Sequence, residues 1–254
     1  MKRTLIAAAL MVPAMAMAEE VKPSFSGEAE LGATITSGNT KTTSVKGKID
    51  VNHHISNWDN QYLLEGLYKD DTQKDENDVE QRVKTAENYR ALVQGNYRFT
   101  ETNYLFINGT YEVDEFGGYD WRGKGSAGYG HRFYENGSTI LDVEIGPGYV
   151  TTQYPAKGDG TADNPFIESR RDQEWVAHGK LNFSTDISDS ATFKQLFIVD
   201  AGNRVDARSE TSISASLVGS LAMKVAVVVK YNSDPEPTFK NTDTETNVTL
   251  LYKF

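Results

Sequence analysis

The 254-residue chain carries a formal net charge of −10, no cysteine and a mean hydropathy of −0.52. That acidity argues against nucleic acid as a partner, and the lack of cysteine excludes disulfides, thiolate metal sites and an amino-terminal lipid anchor. Past the first residues no apolar run is long enough for a helical membrane span, but a membrane β-barrel stays open because half of each of its strands is polar.

Lys2 and Arg3 precede an apolar stretch at residues 5–12 and the small-x-small site Ala16-Met17-Ala18, so residues 1–18 read as a secretory signal peptide. Two basic residues leave with it, which moves the formal charge from −10 to −12 for residues 19–254. From Ser24 onward the pattern alternates with a period of two and never settles into a helical period. The first run sets Phe25, Gly27, Ala29, Leu31, Ala33 and Ile35 against Ser26, Glu28, Glu30, Thr34 and Thr36, and turns at residues 37–40. Its return sets Val45, Gly47, Ile49, Val51 and Ile55 against Lys46, Lys48, Asp50, Asn52 and His54. Further strands are predicted near residues 61–69, 84–99, 104–114, 121–134, 139–152, 174–186, 191–200, 209–220, 223–232 and 243–254. That makes about twelve.

Loop lengths sort by parity. Even-numbered connections are tight, at residues 56–60, 100–103, 135–138, 186–190 and 220–222. Most odd-numbered ones are long, at residues 70–82, 154–172, 201–208 and 233–242. Short turns on one rim and long loops on the other characterise outer membrane barrels. Aromatic residues of the apolar parity gather towards the same two rims. Phe25, Tyr62, Tyr97, Phe99, Phe133, Phe183, Phe193, Tyr252 and Phe254 lie on the short-turn side, with Tyr68, Tyr89, Tyr111, Trp121, Tyr149 and Trp175 on the other. Smaller aliphatics such as Ala33, Ile49, Ala91, Val93, Val143 and Val227 fill the band between these girdles.

The fold class predicted is therefore all-β: a transmembrane antiparallel up-and-down β-barrel of about twelve strands, one domain over residues 19–254, exported to a bacterial outer membrane. Only closure satisfies every backbone group in hydrocarbon. The polar parity then faces a lumen and supplies its charges. The first two strands place Glu28, Glu30, Lys46, Lys48 and Asp50 there; the middle strands add Glu65, Arg90, Arg98, Glu112, Arg122, Lys124 and Arg132; and Asp142, Glu144 and Lys180 follow. Both signs occur, so mutual pairing is expected to narrow or plug the lumen.

The last strand alternates and ends on Phe254. With Tyr252 it resembles the terminal strand that outer membrane proteins present to the barrel assembly machinery. Four stretches, LGATITSGNTKTTSVKG at residues 31–47, Trp58, GPGY at residues 146–149 and DTETNVTLLYKF at residues 243–254, together resemble the YdiY-like family of salt-induced outer membrane proteins. The resemblance implies an outer membrane location and a link to salt or envelope stress. It brings no catalytic residues.

Signals for chemistry are sparse. Residues 123–128 match G-x-G-x-x-G but lack a following helix, so they read as a small-residue strand patch. His53, His54, His131 and His178 show no metal-ligand spacing, and no cofactor is implied. A hydrolase of lipid or peptide on this architecture would draw on His131 with Ser126, or on His178 with Asp172, and neither pairing stands out. The acidic residues 70–80 lack EF-hand order, whereas Asp159, Thr161 and Asp163 form a better oxygen cluster. Divalent cations at these loops, beside the phosphates of lipopolysaccharide, are one expected partner; outer membrane lipids and the assembly machinery are the others. Two functional classes follow: a narrow channel for ions or small polar solutes, or a closed barrel supporting envelope integrity.

Overall fold

Side-chain alternation turns into sheet almost everywhere. The computed structural model describes residues 24–35, 42–74, 80–115, 117–158, 160–161, 165–236 and 239–254. Its strands are β1 Ser24–Ile35, β2 Thr42–Ile55, β3 Trp58–Lys74, β4 Glu80–Arg98, β5 Asn103–Asp114, β6 Tyr119–Glu135, β7 Thr139–Tyr154, β8 Arg170–Ser188, β9 Ala191–Ala201, β10 Val205–Val218, β11 Leu221–Asn232 and β12 Thr242–Lys253. Each pairs antiparallel with the next, and β12 pairs with β1 to close the barrel. The signal peptide read at residues 1–18 and the turn at residues 37–40 lie outside the described residues.

The parity read as apolar faces outward. Leu31, Ile49, Leu64, Val93, Ile107, Ile145, Val225 and Val248 are all exposed, as are the girdle residues Phe25, Tyr62, Phe133, Tyr252, Tyr68, Tyr89, Tyr111 and Trp175. So large an apolar surface on a closed sheet is the surface of a membrane barrel, with lipid as its solvent. Short turns use local chemistry. Gly137 and Gly219 adopt φ of 82° and 54°, where a side chain is disfavoured, and the Asn136 side-chain oxygen accepts from the backbone amides of Ser138 and Thr139.

Two predicted loops are corrected. The acidic segment 70–82 is mostly strand: β3 runs on to Lys74 and β4 starts at Glu80. Cross-strand contacts hold this extension, with Arg82 2.9 Å from Asp70 and the Thr85 hydroxyl donating to Asp71 at 3.0 Å. Paired opposite charges offset the low strand propensity of the aspartates. The segment 201–208 is likewise no long loop, because β10 begins at Val205 and only residues 202–204 connect it to β9.

Two parts of the wall differ in closeness. Between β6 and β7 the register runs Ser126↔Gly148 and resumes at Tyr129↔Ile145, lapsing around Pro147, which has no amide hydrogen to give. There the backbones nearly touch: a Cβ on Gly128 would lie 2.2 Å from the Ile145 carbonyl oxygen, and one on Gly146 2.1 Å from that of Ala127. The G-x-G-x-x-G match and GPGY thus meet as a glycine floor. At the β1–β12 seam, by contrast, register pairing spans only Glu28↔Lys253 to Leu31↔Leu250, extended by reciprocal backbone bonds between Gly27 and Phe254 at 2.8 and 3.0 Å.

Candidate functional site

The polar parity encloses a cavity of about 940 Å³. Its lining begins at the short-turn rim with Ser24, His54 and Asp59 and reaches Glu112, Lys124 and Asp200 further up. The predicted charges are drawn into pairs. Near β1, Glu28 accepts from Lys194 at 2.6 Å, and Glu30 accepts from Lys224 at 3.0 Å and from the Thr249 hydroxyl at 3.1 Å. Lys48 lies 3.6 Å from Glu30 and 4.0 Å from Asp50, which also accepts from Gln61 at 2.9 Å. Lys46 reaches Glu245 at 3.8 Å.

Further round, Glu65 sits between Arg90 at 2.8 Å and Arg208 at 3.2 Å, and Arg90 lies 3.5 Å from Glu112. Arg98 pairs with Asp59, Arg132 with Asp142 at 2.7 Å, and Lys124 with Asp200 at 3.0 Å. Glu144 accepts from Gln94, Tyr104 and Lys180 at 2.9, 3.1 and 3.3 Å. Pairing of this density over several strands rigidifies a polar interior, because each charge left alone there would be strongly disfavoured.

Above the cavity one side of the lumen is filled. Arg122 lies 3.3 Å from Asp206, and its Nε donates to the Thr152 hydroxyl at 3.2 Å. Arg204 donates to Tyr154 at 2.6 Å and to Thr152 at 2.7 Å, and lies 3.2 Å from Glu174. Thr152 is 0 % exposed. This cluster joins β6, β7, β8 and the β9–β10 turn into a clasp.

Sequence reasoning missed several of these groups. Lys194, Arg208, Glu210 and Lys224 sit on the same alternating parity as the predicted charges, and the period-two rule applied to β9–β11 would have found them. Arg204 leaves no periodic trace, because it sits in a turn. Nor did alternation show that Tyr104 and Phe106, 2 % and 3 % exposed, point inward. They lie on the glycine side of the wall: β5 pairs Tyr104 with Gly130 and Phe106 with Gly128, and a Cβ on Gly130 would fall 2.2 Å from the Tyr104 ring.

The histidine pairings considered for catalysis do not form. His131 Nδ1 is 2.8 Å from the Asn103 side-chain oxygen, and the Ser126 hydroxyl donates to Asn108 at 2.7 Å. His178 faces Asp200 at 2.7 Å and not Asp172. Among the described residues no three acidic or imidazole groups converge as a metal set; Asp159 and Asp163 lie outside those residues.

On the long-loop side, Glu236 ties two connections together. It accepts from Lys157 at 3.0 Å and from Arg170. Burial works to raise its carboxyl, but the hydrogen bonds from Lys157 and Arg170 outweigh this and hold it below the ordinary glutamate value of 4.5. Lys157 also lies 5.7 Å from the Phe239 ring centre, and Gly118 packs under that ring.

A closed, lipid-faced antiparallel barrel with a charged interior and unequal rims defines a class, the outer membrane β-barrels. Residues 29–254 match the family described as "Protein of unknown function, DUF481", and the chain belongs to that family. It is 24% identical over 234 residues to the uncharacterized protein YdiY of Escherichia coli (strain K12), covering 91% of this chain and 84% of that one. Among solved structures it resembles the translocator domain of the autotransporter NalP from Neisseria meningitidis. That match has a TM-score of 0.54 at 13% identity, over 93% of this chain and 90% of the other. A fainter likeness is to the NanC porin, with a TM-score of 0.49 at 5% identity, over 90% and 98% of the two chains.

Proposed function

We propose that the protein is a narrow outer membrane channel that passes ions or small polar solutes by diffusion, with the clasp around Arg204 as its constriction. The observation that carries this reading is the continuous cavity of about 940 Å³, lined by both signs of charge from the short-turn rim upward. A polar solute entering it exchanges water for charged and amide groups at every level, so desolvation is never uncompensated. Its proposed role lies in salt or envelope stress, as the resemblance in its sequence implies. Residues 1–18 are proposed to be cleaved on export, and Tyr252 and Phe254 to be read by the barrel assembly machinery, with outer membrane lipid and lipopolysaccharide around the finished barrel.

A second reading, a closed barrel that serves envelope integrity, is favoured by the clasp in which Thr152 is fully buried. Single-channel recording in planar bilayers separates the two. Steady small currents, enlarged by Arg204→Ala, are expected of the channel. Reproducible silence from both the natural chain and Arg204→Ala rejects it and leaves the closed barrel.

A further inference from the structure

On the outer face of β6, β7 and β8 one arginine stands apart. Trp121 is in register with Gln153, and Gln153 with Arg171, so the three share one row at the height of the long-loop aromatic girdle. Arg171 lies two lipid-facing positions above the exposed Trp175, on the parity that looks away from the lumen. Its Nε donates to the Gln153 side-chain oxygen at 3.1 Å, and its guanidinium carbon lies 5.3 Å from the Trp121 ring centre. Gln153 is itself anchored, because its amide nitrogen donates to the backbone carbonyls of Tyr154 at 3.2 Å and Arg170 at 3.1 Å. Tyr111 stacks on the Trp121 ring with centres 5.9 Å apart.

Every other arginine among the described residues lies against a carboxylate, from Arg82 with Asp70 to Arg208 with Glu65. Arg171 does not: its contacts among those residues are Gln153 and Trp121, in a chain of formal charge −10. The next residue shows the contrast. Arg170, on the opposite parity, stacks on Tyr154 at 4.1 Å and pairs with Glu236. Arg171 is exposed, and with Nε held by Gln153 and one face by Trp121, both terminal nitrogens of its planar fork are unused. A fork fixed in this way suits two oxygens of one phosphate. Beneath it the lipid-facing wall is smooth. Gly109, Gly125 and Ala127 are exposed, and an added Cβ would meet nothing within 4 Å at Gly109 and only the Asn108 carbonyl oxygen, at 3.8 Å, at Gly125.

We infer that Arg171, braced by Gln153 and Trp121, binds the phosphate of a phosphorylated lipid of the outer leaflet, the class to which lipopolysaccharide belongs. Long loops mark this rim as the outer one, and the aromatic row sets Arg171 at the depth of lipid headgroups. Charge complementarity then selects the occupant: an unpaired guanidinium on the lipid side of an acidic protein takes its anion from the lipid. The two terminal nitrogens meet two phosphate oxygens, Gln153 holds the angle of the fork, and acyl chains run down the smooth wall over Gly125 and Gly109. The contact is direct and needs no bridging cation. It lies outside the lumen, so it stands whether or not the barrel conducts.

The test titrates the natural barrel, in detergent, with lipid A carrying its phosphates and counts bound lipid by native mass spectrometry. The natural chain is expected to retain this lipid and to lose hold of the same lipid once dephosphorylated, a comparison that needs no variant to fold. Arg171→Gln is expected to weaken binding about tenfold, as the loss of one charged hydrogen-bonding group does. Arg82→Gln, which removes another exposed arginine, one already paired with Asp70, is expected to leave binding unchanged. Inorganic phosphate at the concentration of the lipid should not compete, and a chelator of divalent cations should release nothing. Equal retention of the dephosphorylated lipid, natural affinity in Arg171→Gln, or the same weakening from Arg82→Gln would each overturn the inference. So would competition by inorganic phosphate or release by the chelator.

Discussion

The β6–β7 wall and the β1–β12 seam are both pairs of neighbouring strands in one barrel, yet they are held by opposite means. At the wall two backbones come close enough to exclude any side chain at Gly128 and Gly146, the buried Tyr104 ring lies against neighbouring Gly130, and buried Phe106 pairs in register with Gly128. At the seam the backbone pairing is short, and Glu30 does much of the joining from inside through Lys224, Thr249 and Lys48. The contrast teaches that a closed sheet need not be uniformly closed. Packing makes one arc rigid, while a few side-chain contacts leave another able to part.

Glycine substitution probes this contrast most strongly. Gly128→Ala is expected to cost more than about 3 kcal/mol in urea unfolding, because the obstacle is backbone on a braced wall. Gly32→Ala at the seam, where the nearest atoms are the Thr249 methyl at 2.9 Å and the Val248 carbonyl at 3.0 Å, is expected to cost only about 1 kcal/mol, since the closest atom is a side-chain methyl that can move aside. Equal costs would mean that the two arcs are equally stiff.

Removing the inner latch tests the seam alone. Glu30→Ala should cost about 1–3 kcal/mol, the ordinary loss for a buried charged hydrogen-bond acceptor. Lys224 keeps Glu210 at 3.2 Å, and Lys48 keeps Asp50, which holds the effect below that of an orphaned charge. Hydrogen exchange should quicken at Ala29 and Leu250 while Tyr129 and Ile145 stay protected. Faster exchange at both places would show the latch serving the whole barrel.

The smallest effect concerns the tie that links the two arcs. Lys157 and Arg170 flank the connection above the wall, and Glu236 belongs to the connection leading into β12. Because Glu236 is held below the ordinary value of 4.5, its contribution is present above that value and fades as pH falls through the lower one. Proteolysis of the β11–β12 connection should therefore rise only in acid, with the strands unaffected, and Glu236→Gln should show the acid behaviour at neutral pH. A cleavage rate independent of pH in the natural chain would remove the tie from consideration.

Sequence reading worked where a rule of period two applies and stopped where contacts cross the barrel. The outward band from Leu31 to Leu250 was legible, because each strand buries or exposes side chains by parity alone. The extension of β3 and β4 was not, because aspartate-rich segments look like loops until Arg82 and Asp70 are seen across from each other. Tyr104 and Phe106 were unreadable for a similar reason: aromatic residues on the inward parity make sense only once Gly128 and Gly130 lie opposite them.

The sequence by itself determined the strand count, the closed antiparallel class, the two aromatic rows and the charged face, since these follow from the stereochemistry of an extended chain and the energetics of a bilayer. Only the tertiary structure decided which charges meet, how Arg204 gathers Tyr154, Thr152 and Glu174 around it, and how short the register pairing of the seam is. Those outcomes depend on register and on side chains reaching across a lumen, and one-dimensional periodicity carries no information about distance through space.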